Sequence, residues 1–412
     1  MRRLYYEIVK STPLVRVLKN EHRFAFLTNV YYNQASLTQE LEMDNPRFIE
    51  TGKSSFFGEY IYDQVVPQGH FLRQLNQIID WDRFTRRLLK LYKGGGVVGR
   101  PPFDPALVLK MELVAYLYNL SERQVEVYID ENLPAKYFVG LAVDQKAPDH
   151  STLTVFRERL LKRGKLKVFE DMLEEIVQIA LQKGVRFGSI QIVDSVHSVA
   201  NVNTAKDKKR QNKGKGPHDP DARWGFKHKR MVKNEEGKEI EQTEYFFGYK
   251  AHVSLNAQAG MITSLKPTSG EASDGEHFCN LVDHDLAQKL PVKIYAADKA
   301  YDDGDNHLHL ELSGLCSAIR LKKTRTQKKD ANKQVWLELE ATPQYQKGLK
   351  ERYKIERKFG EAKQGHGLGR CRYIGRAKFA VQAFFIAMAL NLKRMVKVLL
   401  QVGFKTRYAP AA

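Results

Sequence analysis

Hydrophobic residues recur at helical spacing through much of the first half of the chain. The apolar positions between residues 71 and 92 fall on one helical face. Farther along, Asp104-Pro105 and Ser121-Glu122-Arg123-Gln124 are helix-start sequences, and Gly184 ends the last predicted helix. Residues 61–184 are therefore predicted to form an all-α domain. Its short capped helices are typical either of a helix-turn-helix DNA reader or of an ordinary helical subdomain.

The first 60 residues show no firm period and are left as a segment of unclear fold. Aromatic residues between Ser54 and Val66 favour a β-strand there, which Pro67 and Gly69 would end.

From about residue 187 the pattern changes to short apolar runs separated by helical stretches. The predicted strands are Ser189–Ala200, Tyr245–Asn256, Met261–Thr268, Val292–Ala297 and Ser317–Leu321. The predicted helices are Asp274–Leu290, Asp305–Leu312, Thr342–Lys363 and Arg376–Gln401. Three strands able to form an antiparallel meander, followed by α/β alternation, match the ribonuclease-H-like fold. Residues 187–401 are therefore predicted to be an α/β domain with a mixed five-stranded sheet and flanking helices, and 402–412 a tail.

A polar, basic insertion interrupts this α/β pattern at residues 201–244. It carries six cations within ten positions, and the glycines and proline around them argue against regular structure. The insertion is predicted to be a solvated loop. Alternatively, it contacts a phosphate backbone. Lys208, Lys209 and Arg210 are its candidate DNA contacts.

The overall charge also favours a polyanionic partner, chiefly nucleic acid. The chain has 67 Lys and Arg against 48 Asp and Glu, a formal net charge of +19. Its three cysteines lack the spacing of a zinc site or a disulfide framework, which fits a reducing cytoplasm. The most apolar stretch, Phe379 to Leu392, is shorter than the roughly 20 residues a membrane helix needs. It is predicted to be a core helix, and no membrane association or signal peptide is expected.

Three acidic residues are the candidate catalytic groups. Asp194 and Asp298 each end an apolar run, where a buried strand is expected to reach solvent and α/β sheets usually place their chemistry, and Glu356 lies in a basic helix. Two Mg²⁺ ions, for which Mn²⁺ can substitute, would be held by three carboxylates and would activate a nucleophile and a leaving oxygen. Asp194 is the expected bridging ligand, and Asp298 and Glu356 each bind one ion.

The helix around Glu356 presents Arg352, Glu356 and Lys363 on one face. Arg352 is predicted to pair with Glu356 and orient it, and Lys363 to reach a DNA phosphate. The alternative is an ordinary ion pair on a solvent-exposed face.

The residues beside these acids give further candidates. Lys250 and His252 share one strand face, so they either approach the scissile phosphate or lie on the surface. Asp274 is favoured as a helix cap over a metal ligand, and His197 should point away from Asp194.

Several segments together resemble the DDE transposases of bacterial insertion sequences, of the insertion-sequence 4/5 superfamily and its 1182-like branch. The segments that carry the resemblance are Gly99–Pro105, Pro148–Leu153, Val193–Ser195, Phe247–His252, Ala297–Asp302 and the Arg352, Glu356, Lys363 spacing. Related branches have a Tyr three residues before the Arg. Here that position is Leu349, which leaves hairpin handling open.

The resemblance implies an enzyme that binds terminal inverted repeats, cleaves DNA and transfers 3′-hydroxyl ends to target DNA. It also implies a homodimer or higher oligomer on DNA, in the bacterial cytoplasm at the nucleoid, without a small-molecule cofactor. Lys299 beside Asp298 is a further candidate DNA contact, and Trp224 either stacks on an unpaired base or packs on the core. A metal-dependent nuclease of the same fold and a catalytically silent DNA-binding descendant are the alternatives.

Overall fold

The computed structural model describes residues 48–51, 56–97, 99–233, 239–327 and 332–404. Residues 1–47 and 405–412 lie outside this part, with most of the first predicted segment and of the predicted tail. Chain contacts define two compact units. One comprises Met1–Ile49 with Lys93–Pro102, and the other comprises Glu50–Tyr92 with Phe103–Ala412.

The predicted strand at Ser54–Val66 is wrong, because the structure has a helix there, α1, Phe56–Val65. The buried positions are Gly58, Tyr62 and Val66, which recur every four residues. This spacing is that of a helix face, so the aromatic content misled the sequence interpretation.

The predicted all-α region is helical. Its helices are α2 Phe71–Ile78, α3 Asp82–Leu89, α4 Pro105–Leu117, α5 Glu122–Glu131, α6 Leu133–Val139, α7 Ser151–Arg159 and α8 Lys167–Gln182. The predicted caps form. Asp104 accepts a hydrogen bond from the Ala106 amide, and Ser121 with Gln124 completes a capping box. A capped start fixes where each helix begins, because its first amide groups have no intrahelical partner.

The α/β core is built on a six-stranded mixed sheet. Its strands are β1 Ile190–Val199, β2 Arg223–Lys233, β3 Glu239–Asn256, β4 Ile262–Ser269, β5 Ile294–Ala297 and β6 Cys316–Ile319. β1 pairs antiparallel with β3, which also pairs with β2 and β4, while β1, β5 and β6 run parallel. An antiparallel meander continued by parallel strands confirms the predicted ribonuclease-H-like fold, and β1 lies at the centre of the sheet.

The sixth strand corrects two predictions, the five-stranded sheet and the irregular insertion at 201–244. Within that insertion lie a helix, α9 Thr204–Gln211, and the strand β2. Asn203 caps α9 by accepting from the Lys206 amide. Trp224 and Phe226 alternate with polar residues at strand spacing, a signal that the high charge of the segment obscured.

The remaining helices cover the sheet. They are α10 Phe278–Ala287, α11 Gly304–Leu312, α12 Lys323–Gln327, α13 Lys333–Ala341, α14 Pro343–Glu351, α15 Tyr353–His366 and α16 Arg376–Leu400. α16 is buried from Phe379 to Leu392, as predicted for a core helix. No helix in the described part of the chain is both long and apolar enough to cross a membrane.

The predicted helix Thr342–Lys363 is two helices, α14 and α15, that meet at Arg352. α14 packs closely on the sheet through Gly348, where a Cβ atom would overlap the side chain of Ala318 on β6. The sheet thereby fixes the position of the junction and of Arg352.

Candidate active site

The parallel pairing of β1 and β5 brings Asp194 and Asp298 to the same level of the sheet. Val193 is paired with Ala297, and the residue that follows each of them along the chain is an aspartate. β5 ends there, whereas β1 continues to Val199, so Asp194 lies within its strand rather than at its end. A crevice opens where β5 ends and β1 continues without it. Both carboxylates line this crevice.

A single guanidinium group stands between these two carboxylates. Nη2 of Arg352 lies 3.8 Å from Oδ2 of Asp194 and 3.7 Å from Oδ2 of Asp298. The predicted pairing of Arg352 with Glu356 is therefore wrong. Arg352 occupies the junction between α14 and α15, and this position directs its side chain to the sheet rather than along α15. Its Nε is buried without a hydrogen-bond partner.

Burial makes ionisation of Asp194 costly and raises its pKa to about 6. The Ser195 amide, which donates a hydrogen bond of 2.8 Å to Oδ1, and the Arg352 charge both act in the opposite direction. The neighbouring carboxylates of Asp298 and Asp274 raise the pKa further. The site thus favours bound positive charge, because a cation stabilises the ionised form of a crowded carboxylate.

Glu356 lies one helical turn after Arg352 on the same face of α15, and its side chain is exposed. Lys363 lies two turns beyond Glu356 on this face and is half-buried. Burial lowers the pKa of Lys363, and the charge of Lys227 in the crevice lowers it further. Neither Glu356 nor Lys363 lines the crevice, and the links between this face and the crevice are the Arg352 contacts at one end and the charge of Lys227 at the other.

These three carboxylates are a suitable donor set for a hard divalent cation, and two of them already hold a positive group between them. Their oxygens are not gathered as tightly as in a closed metal site. Within the described ranges, the only set of three or more potential ligands that all lie within 4.8 Å is Glu126, Asp149 and His150 in the helical region.

The crevice has a volume of about 1110 Å³ and carries many cations. Lys250 and Lys299, both predicted from the sequence, line it. Its lining also includes cations that were not predicted, namely Lys227, Arg320, Lys322 and Lys323. The last three follow β6 directly, so the parallel order of β5 and β6 was the signal that pointed to them.

Asp274 is the third carboxylate in the lining of the crevice, beside Asp194 and Asp298, and the predicted helix-cap role is wrong. Its side chain makes no cap hydrogen bond. Instead, Oδ1 accepts a hydrogen bond of 3.0 Å from Lys250 and lies 3.7 Å from Nδ1 of His252. Burial is the main cause that lowers the pKa of His252 to about 3, so this imidazole is neutral. Lys250 and His252 do share a face, as predicted, and that face is turned toward Asp274.

The outer edge of the crevice is formed by the two-stranded ribbon of β2 and β3. His197 was expected to point away from Asp194 but lines the same crevice, and its ring lies beside that of Phe246 with centroids 4.8 Å apart. Trp224 is on β2, 58% exposed, and its ring lies 5.5 Å from that of Phe247. It therefore does not pack into the core. Lys208, Lys209 and Arg210 are exposed on α9.

Two protein-family models match the chain. One, described as "Transposase domain (DUF772)", matches residues 60–159. The other, described as "Transposase DDE domain", matches residues 186–392, half of the chain. Together they cover the helical region and the α/β core.

Two solved structures are similar at low identity. A piggyBac transposase in a synaptic complex with hairpin DNA shares 9% identity, with 82% of this chain and 77% of that chain covered and a TM-score of 0.35. A Mos1 transposase paired-end complex shares 12% identity, with 70% and 87% covered and a TM-score of 0.19. Both likenesses are distant, so the family assignment rests on the two family models.

Proposed function

Because this chain belongs to the DDE transposases, enzymes that cut and transfer DNA, we propose that Asp194, Asp298 and Glu356 are its catalytic carboxylates. The single observation that carries this proposal is the position of Arg352, which contacts both aspartates from the helix junction next to Glu356. Residues 104 positions apart in the sequence meet at one cation.

Two Mg²⁺ ions, or Mn²⁺ in their place, would activate a nucleophilic oxygen and stabilise the leaving oxygen when bound. Asp194 would bridge the ions, since it is the central carboxylate and the most buried one. Asp298 and Glu356 would each complete one side. The low-dielectric surroundings that raise the pKa of Asp194 also strengthen its attraction for a cation.

Arg352 has two roles in this proposal. In the free protein it balances the charge of Asp194 and Asp298. Without its contacts to the two aspartates, its fork of donors would suit a phosphate of the DNA. Lys363, Lys299 and Lys250 would position the phosphodiester backbone along the crevice, and Asp274 would hold Lys250 in place.

The DNA substrate is inferred from charge and from surface. The net charge of +19 and the cationic crevice favour a polyanion. Lys208, Lys209 and Arg210 would add phosphate contacts, and Trp224 would stack on an unpaired base. We infer binding of terminal inverted repeats and of target DNA by a homodimer or larger assembly at the nucleoid in the cytoplasm.

A plasmid that carries the reading frame with its native flanking DNA provides the test of strand transfer. Incubation with the wild-type protein and Mg²⁺ should give cut ends and then products joined to a second plasmid. The control variant Asp283→Asn removes one negative charge at an exposed aspartate paired with His309, and it should behave like the wild type. Cutting without any joined product would identify a nuclease and refute strand transfer.

A further inference from the structure

A second cavity, of about 580 Å³, opens beside α15 and α16. Its lining includes one carboxylate, that of Glu361, and a ring of six cations. These cations are Lys354, Arg357, Lys358, Lys393, Arg394 and Lys397. None of the three triad carboxylates lines it. We call this cavity the α15–α16 basic cavity.

Residues of α15 line the basic cavity, and no residue of α15 lines the crevice of Asp194 and Asp298. Lys354 and Lys358 lie about half a turn around the helix from Glu356. Arg352, directly before α15, contacts both aspartates of the crevice, so this helix adjoins both sites.

Several of the cations are held in place by the protein itself. Arg394 donates a hydrogen bond of 2.7 Å to the carbonyl oxygen of Ala259, and Lys354 donates one of 3.1 Å to that of Ala257. Both carbonyls belong to the turn between β3 and β4. These contacts fix the positions of both cations. Lys354 also pairs with the carboxylate of Glu351, whereas Arg394 has no carboxylate partner in the described part of the chain.

The charge of the basic cavity is far from balanced. Glu361 accepts hydrogen bonds from Lys358 at 3.1 Å and from Lys393 at 2.7 Å. Arg357 and Lys397 are exposed and, within the described part of the chain, form no ion pair or hydrogen bond. An uncompensated cluster of this kind is costly through mutual repulsion unless an anion is bound.

We propose that the α15–α16 basic cavity binds the phosphodiester backbone of DNA that continues past α15 from the crevice of Asp194 and Asp298. The inference rests on the proposed function, since it supplies the path of the same nucleic acid. The rest of the lining is mainly aliphatic side chain and backbone, with Leu255, Leu390 and Gly260 among it, plus Phe404 and the exposed Gln258. Phe404 is taken up by ring contacts with Phe71 and Tyr118. One amide side chain among six cations favours phosphate contacts, which form whatever the base sequence.

The test uses a double variant, Arg357→Gln with Lys397→Gln, in the full chain. Both side chains are exposed, so the fold should be retained, and circular dichroism verifies this. The matched control is Lys347→Gln with Lys350→Gln, two exposed lysines on α14 outside the cavity lining. Affinity for a fluorescein-labelled 30-base-pair duplex of arbitrary sequence is measured from about 50 to 200 mM salt.

Each phosphate contact contributes about 0.9 to the slope of log K against log salt. The cavity variant should lose about two units of slope and bind roughly 50-fold more weakly at 0.1 M salt, while the control variant keeps the wild-type slope. A slope equal to that of the control would overturn the proposal. The proposal would also be overturned if 5 mM ATP or inorganic phosphate abolished the difference between the cavity variant and the wild type while duplex affinity stayed unchanged. That result would assign the cavity to a small phosphate ligand. A change confined to oligomeric state in sedimentation would assign it to a second copy of the chain.

The plasmid assay above separates this inference from the proposed function. If the cavity does not bind DNA, the wild-type protein still cuts and joins DNA and the two double variants have equal slopes. If the chemistry is wrongly assigned, the wild-type protein fails to cut although the cavity variant still loses slope.

Discussion

Nδ1 of His366 lies 2.7 Å from the carbonyl oxygen of Tyr116, to which it donates a hydrogen bond. This bond joins the last turn of α15 to α4 of the helical region. Nε2 of the same ring lies 2.9 Å from Nζ of Lys393, an ammonium group that only donates. The imidazole is therefore neutral, with its proton on Nδ1, and it fixes the far end of the helix that carries Glu356.

This arrangement predicts a loss of stability in acid. Burial, with the charge of Lys393, lowers the pKa of His366 from 6.5 to about 4. The unfolded chain therefore takes up a proton on this histidine as pH falls below about 6.5, and the folded protein does so only near pH 4. The contribution is fully present above pH 6.5 and lost as pH falls toward 4, by about 3 kcal/mol at about 1.36 kcal/mol per pKa unit.

The measurement is the urea midpoint of unfolding between pH 7 and pH 4.5, for wild type and His366→Asn. Asn keeps a donor near the position of Nδ1 but does not titrate. The wild-type protein should lose more stability than the variant over this range. Parallel curves for the two proteins would show that His366 is not the titrating group.

If Asp194 and Asp298 bind metal as proposed, Arg352 would compete with it for both carboxylates, so removing Arg352 should strengthen metal binding. Arg352→Gln leaves Asp194 and Asp298 without their shared cation, and their repulsion should lower the melting temperature in EDTA. Addition of Mg²⁺ or Mn²⁺ should then raise the melting temperature more in this variant than in the wild type. The double variant Asp194→Asn with Arg352→Gln should lose the extra gain. An equal gain in wild type and Arg352→Gln would contradict the competition.

Gly348 sets the distance of α14 from the sheet, so a methyl group there should displace the helix that ends at Arg352. Gly348→Ala places Cβ against Ala318 of β6, with Ile294 also close. We expect a loss of about 1–3 kcal/mol, typical of an overpacked core. Gly360→Ala on α15 is the matched control, since nothing lies within 4 Å of its added Cβ. That substitution should stabilise the helix by up to about 1 kcal/mol. Thermal unfolding distinguishes the two, and stabilisation by both would refute the packing argument.

Trp224 should contribute to binding of unpaired DNA but little to the fold, because it is 58% exposed. Stacking of one base on an aromatic ring is worth about 1–3 kcal/mol. Trp224→Ala should weaken binding of a 20-nucleotide single strand by about 5- to 150-fold. Trp224→Phe should retain most of the affinity, and duplex affinity should be unchanged in both variants. Fluorescence anisotropy measures each, and equal losses for single strand and duplex would exclude a stacking role.

The order of elements in the α/β core could be predicted because the strands there are short apolar runs between recognisable helices. The proximity of Asp194 and Asp298 followed from that order alone, since parallel neighbouring strands end at the same edge. The position of Arg352 did not follow from it. Helical periodicity across 342–363 hid the junction between α14 and α15, where Arg352 contacts the two aspartates of the sheet instead of Glu356.

Contacts between residues far apart in the sequence also explain the wrong predictions for Asp274 and for β2. Asp274 has the local sequence of a helix cap, and only the β3 strand that presents Lys250 assigns it another partner. β2 has the composition of a solvated loop, and it becomes a strand because β3 is long enough to extend beyond β1 and pair with it. Local pattern carries neither fact.

The most direct test of the catalytic triad is the rate of Mg²⁺-dependent nicking of a supercoiled plasmid at protein concentrations that saturate DNA binding. Asp194→Asn, Asp298→Asn and Glu356→Gln should each lower the rate at least 100-fold, roughly the effect of removing one essential charged group, while duplex affinity is kept. Asp283→Asn and Glu311→Gln, equal charge changes at exposed positions outside the crevice, should nick at the wild-type rate. Wild-type nicking by any of the three triad variants would contradict the assignment of that residue.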